Sequence, residues 1–139
     1  MDRTVAIVVD SAAAVPPQMA QAHDIRVVPH QLIWDGVIYF DGEGLTPSAF
    51  YQRFRADSTY PTTTTPTLGQ FVETYRRAAE TAQGIVSIHV TGTLTSTVRL
   101  ARQAAEQVDT PVRVVDSGTA ATPQAFIALE AARAAERGV

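Results

Sequence analysis

The chain has 139 residues, 45% hydrophobic, 18% charged and 7% aromatic, with no cysteine, which suits one globular domain and excludes a disulfide scaffold. Eleven basic residues against 14 acidic ones give a net charge of -3, so no positive surplus exists to neutralise the phosphates of a nucleic acid or to hold an anionic membrane surface. All eleven basic residues are arginine, which excludes Schiff-base chemistry and a P-loop lysine in this chain.

Thr4 to Val9 form a β-branched run ending in Asp10, the pattern of a strand covered on both faces, and hence of a parallel sheet. Val15 to Ala22 open with prolines suited to a first helical turn, and Asp24 to Pro29 resume an apolar strand. Asp35-Gly36 between His30–Trp34 and Val37–Phe40 is a strong hairpin signal, and the hairpin is expected to decorate the sheet. Thr46-Pro47 caps a helix carrying Phe50, Tyr51 and Phe54 through Ala56. A loop is expected from Asp57 to Pro66. Thr67 and Gln70 stand in capping-box relation ahead of a helix to about Ala82. Gly84–Val90 reads as a strand, Thr95–Val108 as a helix with Val98, Ala101 and Ala105 inward, and Pro111–Asp116 as another strand of the buried type. Thr122-Pro123 starts a last helix ending at Arg137-Gly138. This alternation predicts an α/β fold, a mostly parallel sheet with helices on both faces and a β-hairpin insertion. No apolar run approaches the ~18 residues of a membrane span. Residues 1–10 carry an acid at position 2 and no small-residue cleavage site, which points to the cytoplasm.

In open α/β sheets ligands collect beyond the C-terminal strand ends. The loops expected there are rich in hydroxyls: Asp10-Ser11, then Thr91-Gly92-Thr93-Leu94-Thr95-Ser96-Thr97, then Asp116-Ser117-Gly118-Thr119. A fourth cluster, Thr62 to Thr65, precedes Pro66-Thr67 and a helix. Unpaired N–H groups at a helix start, joined by flanking hydroxyls, make an anion site. These loops contain no basic residue, the nearest being Arg99 and Arg102, so a single carboxylate or neutral polar head fits them better than a polyphosphate. N-capping explains one hydroxyl per helix, and four consecutive threonines exceed it. Asp10 and Asp116 read as loop-anchoring carboxylates. His30 and His89 have no acidic or nucleophilic partner at a recognisable spacing, and neither a metal set nor a Gly-x-Gly-x-x-Gly loop is present.

Val8-Val9-Asp10-Ser11, Ile25 to Pro29, Tyr39-Phe40-Asp41-Gly42, Pro61 to Thr67, Leu94-Thr95-Ser96-Thr97 and Val115-Asp116-Ser117 together resemble the DegV family, in the same order and across essentially the whole chain. The resemblance implies a non-enzymatic protein without cofactor that binds one long-chain fatty acid, its carboxylate held by hydroxyls of two loops. Some members present the acyl group to a separate fatty acid kinase. By position, Thr63 and Thr64 match the first loop's threonine and serine, Thr65 replacing its usual glutamine. Thr95 and Thr97 match the second loop's serine and threonine, with Ser96 in place of glycine. Asp10, Ser11, Asp116 and Ser117 would support these loops. The resemblance also implies that residues 1–139 form the N-terminal α/β domain of a protein about twice as long, the second domain being absent from this chain. A different reading is a phosphoryl-transfer enzyme or phosphocarrier of related architecture, with His30 or His89 as the reactive group.

Overall fold

The computed structural model describes residues 4–139. Strand β1 (Val5–Asp10) runs through a short 3-10 turn (Ser11–Ala13) into helix α1 (Pro17–Ala22) and strand β2 (Ile25–Val28). Strands β3 (Gln31–Trp34) and β4 (Val37–Phe40) follow, then helix α2 (Pro47–Ala56), strand β5 (Thr62–Thr64) and helix α3 (Leu68–Ala79). The remainder alternates: β6 (Gly84–His89), α4 (Thr97–Ala105), β7 (Val112–Asp116) and α5 (Ala121–Glu136).

Four strands form a parallel sheet in the order β2-β1-β6-β7. The continuous apolar runs of β1 and β6 have a direct cause, because successive side chains meet different helical layers. Ala6, Val8 and Ile85 join Phe71, Val72, Tyr75, Ala101 and Ala104 of α3 and α4. Ile7, Val9 and Ile88 join Ala20, Ala128, Leu129 and Ala132 of α1 and α5. Helices thus cover both faces, as the strand pattern predicts.

Strand β7 differs from its expected character. It lies at the sheet edge, with Val112 and Val114 packed against the α3–α4 side while Val115 is 38% exposed. A β-branched run alone does not distinguish a central strand from an edge strand covered mainly on one side.

The hairpin is also more than a decoration. β3 pairs antiparallel with β4 and, on its other edge, with β5, so the segment expected to be loop contributes a strand and completes a separate three-stranded sheet. Threonine is β-branched and suited to a pleated surface, so Thr62–Thr64 take the free edge of β3. Trp34 is fully buried at the end of β3, with Phe50 and Phe54 of α2 edge-on to its indole and the Arg53 guanidinium 4.3 Å from the ring centroid.

The helix starts follow local chemistry. Thr46 accepts from Ala49 N–H, and Thr67 and Gln70 form both halves of the capping box. The last helix begins one residue before Thr122: Ala120 occupies the N-cap without a side-chain bond, and Ala121 holds φ +55°. Helices α3 and α4 are shorter than expected, ending at Ala79 and Ala105.

Candidate functional site

Asp10 closes β1 at the C-terminal end of the sheet. It is fully buried, yet both carboxylate oxygens are saturated. Oδ1 accepts from Ala12 N–H at 3.0 Å and lies 3.1 Å from His30 Nε2. Oδ2 accepts from Val90 N–H at 3.0 Å and from Gln124 Nε2 at 3.1 Å, and lies 2.9 Å from His89 Nδ1. Burial by itself would raise the carboxyl pKa. The bonds from His30 and His89, the favourable electrostatics of His89 and the Val90 amide outweigh it and hold the group well below the usual carboxylate range.

The histidines therefore do have an acidic partner, contrary to the expectation from spacing. Asp10 lies 20 residues from His30 and 79 from His89, so only strand adjacency unites them. Behind His89 the bonds continue: Ser87 Oγ is 2.6 Å from His89 Nε2, and the Tyr75 hydroxyl donates to Ser87 Oγ at 2.8 Å. Every group in this chain of bonds has a partner. Tyr75 donates to Ser87, His89 Nδ1–H donates to the Asp10 carboxylate, and His89 Nε2 and Ser87 Oγ share the bond between them. Burial keeps the phenol protonated, pushing its pKa up to about 12 against the opposing bond to Ser87. Serine, histidine and aspartate in hydrogen-bond sequence have the order of a nucleophilic triad. Here Ser87, His89 and Asp10 are all fully buried and Ser87 Oγ is bonded to the buried Tyr75, so the chain of bonds is a polar spine of the core.

Gln124 joins this spine from α5. Its Nε2 also donates to Ile88 C=O at 3.3 Å, while its Oε1 is a buried acceptor without a hydrogen-bond partner among the described residues. Reversing the amide would turn its oxygen toward a carboxylate and a carbonyl, so the network sets the orientation.

The segment between β6 and α4 is clamped on both sides. Asp10 takes Val90 N–H, Thr119 C=O takes Thr91 N–H, and Asp116 Oδ2 takes Gly92 N–H at 3.1 Å. Asp116 Oδ1 takes Gly118 N–H at 2.9 Å. The amides of Gly118 and Gly92, with a smaller contribution from Arg102, lower the Asp116 pKa against weak desolvation. Ser117 closes its own turn, donating to Thr119 C=O and accepting from Thr119 N–H. Asp10 and Asp116 are thus loop anchors, and Gly92 leaves room for the second of them, since a Cβ there would lie 3.0 Å from Asp116 Oδ2.

Thr95 Oγ1 donates to Thr97 Oγ1 at 2.7 Å and accepts from Thr97 N–H at 3.1 Å, so its hydroxyl works within its own turn. Thr97 is fully buried. Ser96 is the N-cap of α4, exposed and with no side-chain capping bond. Its φ of -84° is open to any residue, so serine sits there without backbone strain.

Thr63 lies exposed on β5, paired with Leu32, and its hydroxyl has no hydrogen-bond partner among the described residues. Thr64 pairs with Gln31 and donates to Thr65 C=O. No side-chain hydrogen bond joins Thr62–Thr64 to Thr95–Thr97. What links the two hydroxyl clusters is the polar hub: His30, which precedes β3, meets Asp10 through Nε2 and Ser11 Oγ through its backbone N–H at 2.9 Å. Sequence reasoning singled out Asp10, Ser11, Asp116 and Ser117, and missed Tyr75, Ser87 and Gln124. One signal was available, because Ser87 and His89 are polar at alternate positions of an otherwise apolar strand and so share a face.

Among the described residues no helix is long and apolar enough to cross a membrane, and no group of three or more His, Cys, Asp or Glu side chains could hold a metal ion.

Residues 4–139 match the DegV family model, described as "Uncharacterised protein, DegV family". The DegV domain-containing protein SCO2569 of Streptomyces coelicolor is 39% identical over 139 residues, covering 99% of this chain and 49% of its own length. SpyM3_1149 of Streptococcus pyogenes is 35% identical over 136 residues, 97% of this chain and 49% of that protein. This chain thus spans about half the length of the curated relatives it matches. Among solved structures, DegV of Bacillus subtilis, described as a fatty acid binding protein, superposes with a TM-score of 0.93 at 29% identity, over 98% of this chain and 49% of the other. A Thermus thermophilus DegV family protein, described by its fatty acid binding, gives 0.89 at 33% identity over the same shares. Family model, relatives and fold agree across the described residues: the chain belongs to the DegV family.

Proposed function

We propose that this chain supplies the head-group side of a fatty-acid-binding site, with Thr63, Thr64, Thr95 and Ser96 as the hydroxyls that receive the carboxylate, the fully buried Thr97 holding Thr95 in place behind them, and no catalysis of its own. The observation that carries the reading is the likeness, at 27–33% identity, to structures described as binding fatty acid, including stearic acid in the Eubacterium ventriosum protein. The local chemistry supports it. Among the described residues Thr63 and Ser96 present exposed hydroxyls without a hydrogen-bond partner, and Ser96 stands at the N-terminal end of α4, where the partial positive charge favours one negative group. Thr95 contributes differently, since its proton is engaged with Thr97 and would have to be exchanged for a bond to ligand. Leu94, beside these hydroxyls and 71% exposed, offers apolar surface to the adjoining methylenes.

Acyl presentation to a separate kinase belongs to the same proposal: a carboxylate held by hydroxyls and dipoles, without a bound cation, keeps its oxygens available to a phosphoryl donor. Phosphate transfer through His89 fits poorly, because the ring is fully buried and both nitrogens are engaged. The test is extraction of the purified full-length protein followed by mass spectrometry. A long-chain fatty acid in near-stoichiometric amount is expected, with most of it lost in the Thr63→Ala, Thr95→Ala double variant; an unchanged lipid load in that variant would remove these hydroxyls from the site.

A further inference from the structure

We infer that His30 is a positioning residue that latches the threonine strand β5 to the β6–α4 segment through Asp10, so that the two hydroxyl clusters form one rigid unit. Three observations carry this. First, His30 stands immediately before β3, and β3 sets the register of β5 through Gln31↔Thr64 and Leu32↔Thr63. Second, His30 is fastened twice to the end of β1: its backbone N–H to Ser11 Oγ at 2.9 Å, and its Nε2 against Asp10 Oδ1 at 3.1 Å. Third, the other oxygen of that carboxylate holds Val90 N–H, the entry to the segment carrying Thr95 and Ser96. Displacing His30 leaves Asp10 Oδ1 with the Ala12 amide alone and frees one side of the clamp.

The fold does not depend on this contact alone. Gln70 of α3 donates to Pro29 C=O and accepts from Gln31 Nε2, and β3 keeps both strand partners. The His30 side chain is 13% exposed, and leucine and glutamine are close to it in size, so neither replacement leaves a large void. A positioning role therefore separates from a structural one.

The proposal rests on the fatty-acid reading for its effect on ligand, and its test has a second readout that does not. His30→Leu removes the Nε2 donor, whereas the amide nitrogen of His30→Gln reaches a similar position and restores a donor to Asp10 Oδ1. In the full-length protein, with oleic acid as the probe in titration calorimetry, His30→Leu is expected to weaken binding about tenfold and His30→Gln to stay within about twofold. Amide hydrogen exchange without lipid is expected to accelerate in His30→Leu at both Thr62–Thr64 and Val90–Gly92, and to return toward wild type in His30→Gln. Unchanged exchange at either segment, or equal losses in the two variants, would overturn the latch. If the unsubstituted protein takes up no oleic acid, the fatty-acid reading falls, and the exchange comparison alone decides the latch.

Discussion

Asp10 illustrates how a charge can be both buried and stabilising. Five donors converge on two oxygens, so desolvation is met by hydrogen bonds from each side of the sheet. Asp10→Asn would turn an amide NH₂ toward groups that themselves donate, and is expected to cost about 3–5 kcal/mol of unfolding free energy, measured by urea titration at neutral pH. The pH dependence follows from the lowered pKa. A carboxyl depressed in the folded state contributes fully above its ordinary value of 3.8 and progressively less as the pH falls below it. The gap between wild type and Asp10→Asn should therefore narrow in acid; a constant gap from pH 7 to pH 2 would contradict the assignment. Tyr75 has the opposite sign. Its pKa is raised from 10.0 to about 12, so the neutral phenol stabilises the fold below pH 10 and the contribution disappears as pH rises through about 12. Tyr75→Phe is expected to lose about 1 kcal/mol at neutral pH and to show a flatter alkaline unfolding profile.

The β6–α4 segment behaves as an element although it has no regular structure, because three successive amides, Val90, Thr91 and Gly92, are held by Asp10, Thr119 and Asp116. Gly92→Ala places a methyl 3.0 Å from Asp116 Oδ2, and Asp116 cannot retreat without straining its bond to Gly118. The expected result is a loss of at most about 1 kcal/mol, since the carboxylate is exposed, with faster amide exchange confined to residues 91–96 and 117–119. Global acceleration instead would show that the clamp extends further. The same elements show what was legible in the sequence. The parallel strands, the hairpin and the Thr46 and Thr67 caps were readable because each depends on residues within a few positions. β5 was not: three threonines become a strand only when the edge of β3 is offered to them. Nor was the edge position of β7, since Val112–Val115 would read alike in the sheet centre. The candidate site divides the same way. Asp10 and Asp116 announce themselves at strand ends, whereas their partners, His89, Gln124 and Gly92, come from distant stretches brought together by the sheet order β2-β1-β6-β7.

At the scale of the molecule, the two sheets meet where the putting-together of the proposed site is decided. The parallel sheet ends in a charged, fully satisfied hub, and the small sheet carrying Thr62–Thr64 is fastened to that hub at His30 and to α3 through Gln70. The latch proposed for His30 would hold this arrangement stiff before ligand arrives, which would lower the ordering entropy of binding. It also makes ligand occupancy visible as stability. A ligand that binds only the folded state adds RT ln(1 + [L]/Kd), about 2.7 kcal/mol at a hundredfold excess over Kd. Adding oleic acid to delipidated full-length protein is therefore expected to raise the unfolding midpoint by several degrees, with a dependence on the logarithm of free lipid. Thr63→Ala combined with Ser96→Ala removes the two proposed ligand hydroxyls that have no hydrogen-bond partner among the described residues, so the unliganded midpoint should change little while the lipid-dependent rise shrinks. Thr95→Ala should instead lower the unliganded midpoint as well, because its hydroxyl already closes the turn into α4. A pair of variants that differ in this way would separate hydroxyls available to ligand from those that shape the loop; equal rises with lipid in all three proteins would remove the carboxylate from this end of the sheet.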